Sequence, residues 1–470
     1  MKALLINPST ENMIRTHLPE NVEKRSGITP PLGLLYIASY SNTKTDHEVE
    51  VLDNNLLTLN PTDLRNEIER RSPHIVGVTA TSFTIVDALE VARAAKQVSP
   101  EITVVFGGPH IGVYPVIAAA SKEVDVCIMG EGEETFAELL DSLEHGGDLG
   151  KVKGLVYGKE GEIVQTGIKP FNEQLDALPF PGRDLVPING YYSLLSKNDP
   201  ITALITSRGC PFKCLYCDRR NNGRKYRARS AGNVLKEMEE IKNMNIKEVL
   251  LLDDTFTVNR ERVVDFAEGM IDRDFGLEWD IRSRVDGVDE DLIKLLARAG
   301  CNRIHIGIEA GTGRIQKILR KNVDLDKARK IVDICRDEGV QTLAYFMIGS
   351  PTETREEIEE TIRYSIELNP DYAQYAITTP FPGTDLYRMG LDTKLYTHDY
   401  WEDFAKRPQP GFVPRYWTEI LSQDELINLL RTAHRRFYGR PKYLWKSLLE
   451  VGSPKDFVKK AKAGLDILFH

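Results

Sequence analysis

Three of the six cysteines fall within eight residues, in the run Ser207-Arg208-Gly209-Cys210-Pro211-Phe212-Lys213-Cys214-Leu215-Tyr216-Cys217-Asp218. The spacing is C-x3-C-x2-C. Three thiolates on one short loop can hold three irons of a four-iron cluster and leave the fourth open to a substrate or cofactor. The other chemistry open to such a loop is a structural zinc site, which needs a fourth ligand. None is near: the next cysteine is Cys301 and the next histidine His305. Cys127, Cys301 and Cys335 are scattered, so the usage points to a metal centre rather than to disulfides. Cys301 is expected at a helix end and Cys335 on an apolar helix face, both as buried thiols.

Alternating strands and helices must position this loop. Strand-like runs begin near Ile201, Val249, Trp279, Ile304, Leu343 and Tyr372, with helices between them such as Ala231 to Met244, capped by Ser230, and Arg355 to Leu368. Six βα repeats predict a partial (β/α)6 barrel of the TIM type, with chemistry at the carboxyl ends of its strands. The cysteine loop follows the first of them. Residues 1 to about 140 hold five more repeats, with strands at Ala3–Ile6, Val49–Leu52, Ile75–Val78, Ile102–Phe106 and Val126–Met129. They predict a doubly wound, Rossmann-like parallel sheet whose ligand lies beyond the strand ends. Those ends are hydroxyl- and glycine-rich: Thr79-Ala80-Thr81-Ser82, Gly107-Gly108-Pro109-His110 and Gly130-Glu131-Gly132-Glu133. They read either as a ligand cradle or as plain βα turns. A hairpin at 154–165 and the proline-fixed Leu178-Pro179-Phe180-Pro181 form a connector. The expected division is α/β throughout: 1–145, a linker at 146–198, a barrel at 199–390, and a helical region at 391–470.

The stretch from about 200 to 385, cysteine loop included, resembles the radical SAM family. That resemblance assigns Cys210, Cys214 and Cys217 to a [4Fe-4S] cluster. It assigns Tyr216, Asp253, Asp254, Arg282, Glu309 and Met347 to S-adenosylmethionine, although Arg282 could equally neutralise Asp280 or Asp286. The first unit resembles the cobalamin-binding domain found ahead of many such cores. The match runs through Thr29-Pro30-Pro31-Leu32-Gly33-Leu34 and the three polar strand ends. It assigns Thr79, Thr81, Ser82, Gly107, Gly108, His110, Glu131 and Gly132 to cobalamin. One departure stands out. Relatives that supply an axial histidine carry D-x-H-x-x-G, and this chain has Asp53-Asn54-Asn55-Leu56-Leu57-Thr58. The implied activity is methylation of an unactivated carbon of a small or lipid-like molecule by a deoxyadenosyl radical, with electrons from a flavodoxin or ferredoxin. A ring-forming cyclase is the alternative enzyme, and a non-catalytic cobalamin or redox sensor the alternative of another class.

Across 470 residues, 61 basic and 70 acidic side chains give a net charge of −9, which argues against non-specific nucleic-acid binding. No apolar run approaches the roughly 20 residues that span a bilayer, and the opening Met1-Lys2-Ala3-Leu4-Leu5-Ile6-Asn7-Pro8 reads as a strand, not a signal peptide. A cytoplasmic protein is expected. The segment 431–470 is different: ten basic residues against three acidic, interleaved with Phe437, Tyr438, Tyr443 and Trp445. It reads either as a helix on the anionic inner face of a membrane or as a helix packed on the acidic body.

Overall fold

A computed structural model describes residues 1–15, 27–218, 220 and 222–449. The first sheet begins with β1 (Lys2–Asn7), β2 (Glu48–Asp53), β3 (Ile75–Thr79), β4 (Thr103–Gly107) and β5 (Val126–Ile128), all parallel, in the order β2-β1-β3-β4-β5. This is a doubly wound order, and its carboxyl edge is where ligands bind. Both faces are covered, so the strands are continuous apolar runs: Ala3, Leu4, Leu5 and Ile6 of β1 are all buried. The hairpin expected in the linker, β6 (Leu155–Lys159) and β7 (Glu162–Gln165), instead extends this sheet antiparallel from β5, with Cys127 opposite Val156. Val126 and Ile128 would otherwise leave an unpaired edge, and β6 buries it.

The second sheet is parallel and six-stranded: β8 (Ile201–Leu204), β11 (Glu248–Leu251), β12 (Glu278–Ser283), β13 (Cys301–Glu309), β14 (Gln341–Ile348) and β15 (Tyr372–Ile377), in sequence order. Between β8 and β11 lies a small antiparallel ribbon, β9 (Ser207–Arg208) with β10 (Arg227–Ala228). Helix starts follow their capping chemistry: Ser230 accepts from the Asn233 N–H, and Thr354 closes a capping box with Glu357. Cys301 opens β13 rather than ending a helix, because Gly300, at φ +93, turns the chain into the strand. It is buried, as is Cys335.

The junction is charged and buried. Arg183 from the connector and Arg229 after β10 share the two oxygens of Glu237. Arg229 also donates to the Tyr36 hydroxyl of the first unit at 3.2 Å. Losing one member of such a group strands the others, at a cost of about 3–5 kcal/mol. The region beyond β15 returns to the first unit: Tyr387, Tyr396, Tyr400, Trp401 and Phe404 join the core built by β3, β4 and the helix Ile85–Val98.

The helix Gln423–Tyr438 packs on the barrel. Phe437 is fully buried, Arg436 pairs with Glu359 at 2.5 Å, and Arg440 donates to the Ile366 carbonyl at 3.0 Å. The start of the basic segment is thus docked on the body through Arg436, Phe437 and Arg440, whereas Leu444 and Trp445 in the next helix are exposed. Lys455, Lys459, Lys460 and Lys462 lie outside the described residues. Among the described residues no helix is long and apolar enough to cross a membrane.

Candidate active site

β8 delivers the chain to Thr206 and Ser207, where buried Asp253 holds it. Its Oδ1 accepts from the Thr206 N–H at 2.6 Å, and its Oδ2 from the Thr206 and Ser207 hydroxyls at 2.5 Å each. Arg262 Nη2 stands 3.9 Å away. Bonds to a charged acceptor are roughly twice as strong as neutral ones, so the entry to the cysteine loop is fixed. Of the two carboxylates expected at SAM, Asp253 is engaged by the loop and Asp254 is exposed at the same strand end.

Gly209 follows at φ +85. A Cβ there would stand 2.2 Å from the Lys225 carbonyl oxygen and 2.8 Å from that of Asn222. The loop therefore leaves and returns through a narrow neck, the β9–β10 ribbon. Beyond it, Cys210 Sγ lies 3.8 Å from Thr255 Oγ1, Cys214 is buried and Cys217 is exposed. The far side of the loop is fastened by Leu215 N–H to Leu319 O at 3.0 Å and Leu386 N–H to Leu215 O at 2.9 Å.

Among the described residues no three His, Cys, Asp or Glu side chains converge on a single ion. Three cysteines on one loop are the donor set that a four-iron cluster takes.

Glu309 ends β13 at φ +72, beside a register shift against β14. A non-glycine residue in this region costs of order 1–3 kcal/mol unless its surroundings hold it. Lys321 does so, with Nζ 3.1 Å from Oε1 and both side chains nearly buried. Gly307 leaves room for the pair: a Cβ there would lie 2.6 Å from each. Tyr216 lies against them; burial first, then the Glu309 carboxylate, push its phenol above the ordinary range. Cys214 and Cys217 add to that shift, so cysteine loop, Tyr216 and Glu309 share one corner.

Half-buried Arg282 donates to the Leu251 carbonyl at 2.7 Å. Neither acid considered for it is its partner: Asp280 is taken by Arg303 and His305, and Asp286 by Arg284. Met347 stands near the end of β14. Apart from Tyr216, on the cysteine loop, the residues expected at SAM thus lie at the carboxyl ends of four neighbouring strands.

The first unit gathers most of its expected set as well. Ser82 Oγ bonds His110 Nδ1 at 3.0 Å, and the His110 N–H bonds the Ala80 carbonyl. Burial lowers the His110 pKa to about 4, so the ring is neutral at physiological pH. Gly108, at φ +96, presses against Thr79 and Ala80, whereas a Cβ at Gly107 or Gly130 would project into open space. At Gly107 and Gly130 this edge carries no side chain, so a ligand could approach its backbone closely. Thr81 is turned elsewhere, bonded to Thr84 at the start of the helix Ile85–Val98. Gly132 lets Ile37 approach closely. Asn55, at the histidine position of the D-x-H-x-x-G pattern, accepts from the Thr10 hydroxyl.

Glu131 does not face this edge freely. Its carboxylate accepts from Arg208 Nη1 at 3.0 Å, Arg227 Nη1 at 2.8 Å and the Asn172 N–H at 2.8 Å, while Glu133 takes the second arm of Arg208. Neither these arginines nor Lys321 is marked out by any motif in the sequence. Lys321 sits 12 residues beyond Glu309, a separation with no helical or strand period to join them.

The radical SAM superfamily model matches residues 204–365, and the B12 binding domain model residues 21–140. The chain is 34% identical over 453 residues to an uncharacterised methyltransferase of Pyrococcus horikoshii, covering 96% of this chain and 95% of that one. It is 29% identical over 429 residues to the anaerobic magnesium-protoporphyrin IX monomethyl ester cyclase of Rubrivivax gelatinosus, covering 89% and 75%. Among solved structures it is similar in fold to the cobalamin-dependent S-adenosylmethionine radical enzyme OxsB. There the TM-score is 0.77 at 18% identity, over 99% of this chain and 72% of that one.

Proposed function

The chain belongs to the radical SAM superfamily, in the cobalamin-dependent methyltransferase family that carries a B12-binding domain ahead of the core, and we propose that it methylates an unactivated carbon of a small molecule. The observation that carries this reading is the joining of two built edges in one chain. The cysteine loop with Tyr216 and Glu309 forms one, and the cradle of Thr79, Ser82, Gly107, Gly108 and Gly130 forms the other. When bound, the cluster, SAM and cobalamin supply one-electron cleavage of a sulfonium bond, a carbon radical and a methyl carrier.

The chain's own residues do the rest. Cys210, Cys214 and Cys217 provide the thiolates. Glu309, steadied by Lys321, accepts hydrogen bonds from the ribose or amino-acid end of SAM. Asp254 and Arg282 face the same strand ends, and Met347 supplies an apolar wall. Tyr216 and the buried Ile308 and Ala310 keep water from that corner. Cys217, exposed, leaves one edge of the loop open to a low-potential flavodoxin or ferredoxin.

A second reading, ring-forming oxidation, is favoured by the likeness to the Rubrivivax gelatinosus cyclase. The products separate the two. Methylation uses SAM both as methyl source and as radical source, so the loaded protein should release S-adenosylhomocysteine as well as 5′-deoxyadenosine. Omitting cobalamin should abolish the first and spare the second. Deoxyadenosine without S-adenosylhomocysteine under every loading would favour the cyclase reading.

Cobalamin should bind with no protein imidazole on cobalt, because Asn55 stands at the histidine position of the D-x-H-x-x-G pattern and His110 is buried away from the surface. Electron paramagnetic resonance of the cobalt(II) form should lack axial nitrogen splitting. A nitrogen triplet would mean that a histidine of this chain ligates.

A further inference from the structure

Arg208 and Arg227 face one another across the β9–β10 ribbon. They flank the way in and out of the cysteine loop, and Arg208 is two residues from Cys210. Like charges directly opposite on paired strands repel, so this pair needs counter-charges. The first unit supplies them. Glu131 bonds both guanidinium groups, and Glu133 bonds Arg208 alone. Tyr36 lies 5.5 Å from the Arg208 guanidinium carbon and Phe171 4.8 Å from that of Arg227. Arg227 also donates to the Asn222 carbonyl at 3.0 Å, which is one of the two carbonyls crowding Gly209. The four charged side chains are nearly or fully buried and sum to zero.

We propose that Glu131 and Glu133 are positioning residues for the iron–sulfur loop: they hold both arms of its neck and cancel the positive charge beside it. The first unit thereby sets the electrostatic setting of the cluster as well as its place. The inference rests on the cluster reading of the cysteine loop. Neutralising Glu131 leaves one uncompensated positive charge near the thiolates. Reduction adds negative charge to a cluster, so a nearby positive charge favours the reduced form and moves the midpoint potential upward.

The test is an EPR-monitored redox titration of the reconstituted, cobalamin-loaded full chain. Glu131→Gln should shift the cluster potential in the positive direction and change the spectral response to SAM, with cobalamin content unchanged. Glu131→Asp should restore most of the potential. Glu144→Gln, a remote carboxylate of the same unit, should shift nothing. A purely structural role would alter thermal stability without moving the potential, and that result would overturn the proposal. So would loss of cobalamin with an unmoved potential, which would make Glu131 a cofactor contact. Should Glu131→Gln fail to fold, Glu133→Gln leaves the Glu131–Arg227 pair intact and should give the same upward shift; an unmoved potential there would also overturn it. A wild-type protein with no cluster signal would count instead against the cluster reading.

Discussion

Cys214→Ala should yield a folded chain that holds little iron and forms no 5′-deoxyadenosine from SAM. The wild type should hold about four irons, on three thiolates. Removing one ligand leaves two iron–sulfur anchors, and the other three cysteines offer no replacement. Cys127 and Cys335 are buried, which pushes each thiol up to about 12, and burial raises Cys301 further still. All three are protonated near neutral pH, whereas a metal ligand must be a thiolate. Cys210→Ala and Cys217→Ala should behave like Cys214→Ala. Cys301→Ala and Cys335→Ala should keep full iron content and lose only roughly 0.5–3 kcal/mol of stability, the usual range for a buried truncation. Iron analysis and chromatography of the nucleoside products check both halves of this expectation. Retained SAM cleavage in Cys214→Ala would place the chemistry elsewhere.

Gly209→Ala should come close to the same loss by a different route. The added methyl carbon would meet the Lys225 carbonyl oxygen at 2.2 Å, inside any tolerable contact, and the Asn222 carbonyl at 2.8 Å. Neither is the flexible end of a side chain. The φ of +85° adds a penalty of about 1–2 kcal/mol for any L side chain in a left-handed conformation. Relief requires opening the β9–β10 neck, which moves Cys210 relative to Cys214 and Cys217. A displacement of about 1 Å at a reacting centre costs about 10²-fold in rate. The expected result is a sharp fall in iron per chain and in SAM cleavage, with far-ultraviolet circular dichroism unchanged. Gly232→Ala, in a helix with nothing within 4 Å of the new carbon, should leave iron untouched and stabilise the helix by about 1 kcal/mol. Wild-type iron content in Gly209→Ala would show that the neck is not what aligns the cysteines.

The parallel strands were legible because, buried on both faces, they are short apolar runs broken by glycine and hydroxyl residues. The start of the helix Ala231–Asn243 was legible in Ser230, and the helix Arg355–Leu368 in its apolar period. The three thiolates were legible because their whole constellation lies within one loop. What could not be read depends on pairs distant in sequence. The hairpin at 155–165 gives no local sign of whether it joins a sheet. Arg208 and Glu131 are 77 residues apart, and a charged residue at a turn reads as solvated until its partner is known. Asp253 looked like a ligand-facing carboxylate for the same reason, since Thr206 and Ser207 lie 47 and 46 residues before it. The basic tail showed its charge but not its floor: Phe437 and Tyr438 dock on a surface made by β15 and the helix Arg355–Leu368, an association no period within the tail can encode.

Whether the cysteine loop and SAM form one radical-generating site is read by incubating the reconstituted, cobalamin-loaded wild-type chain anaerobically with SAM and a low-potential reductant, and quantifying 5′-deoxyadenosine against the Cys210→Ala/Cys214→Ala/Cys217→Ala variant. The wild-type chain should make several turnovers of deoxyadenosine and the variant none. A wild-type chain carrying four irons and cobalamin that releases no deoxyadenosine would contradict that expectation.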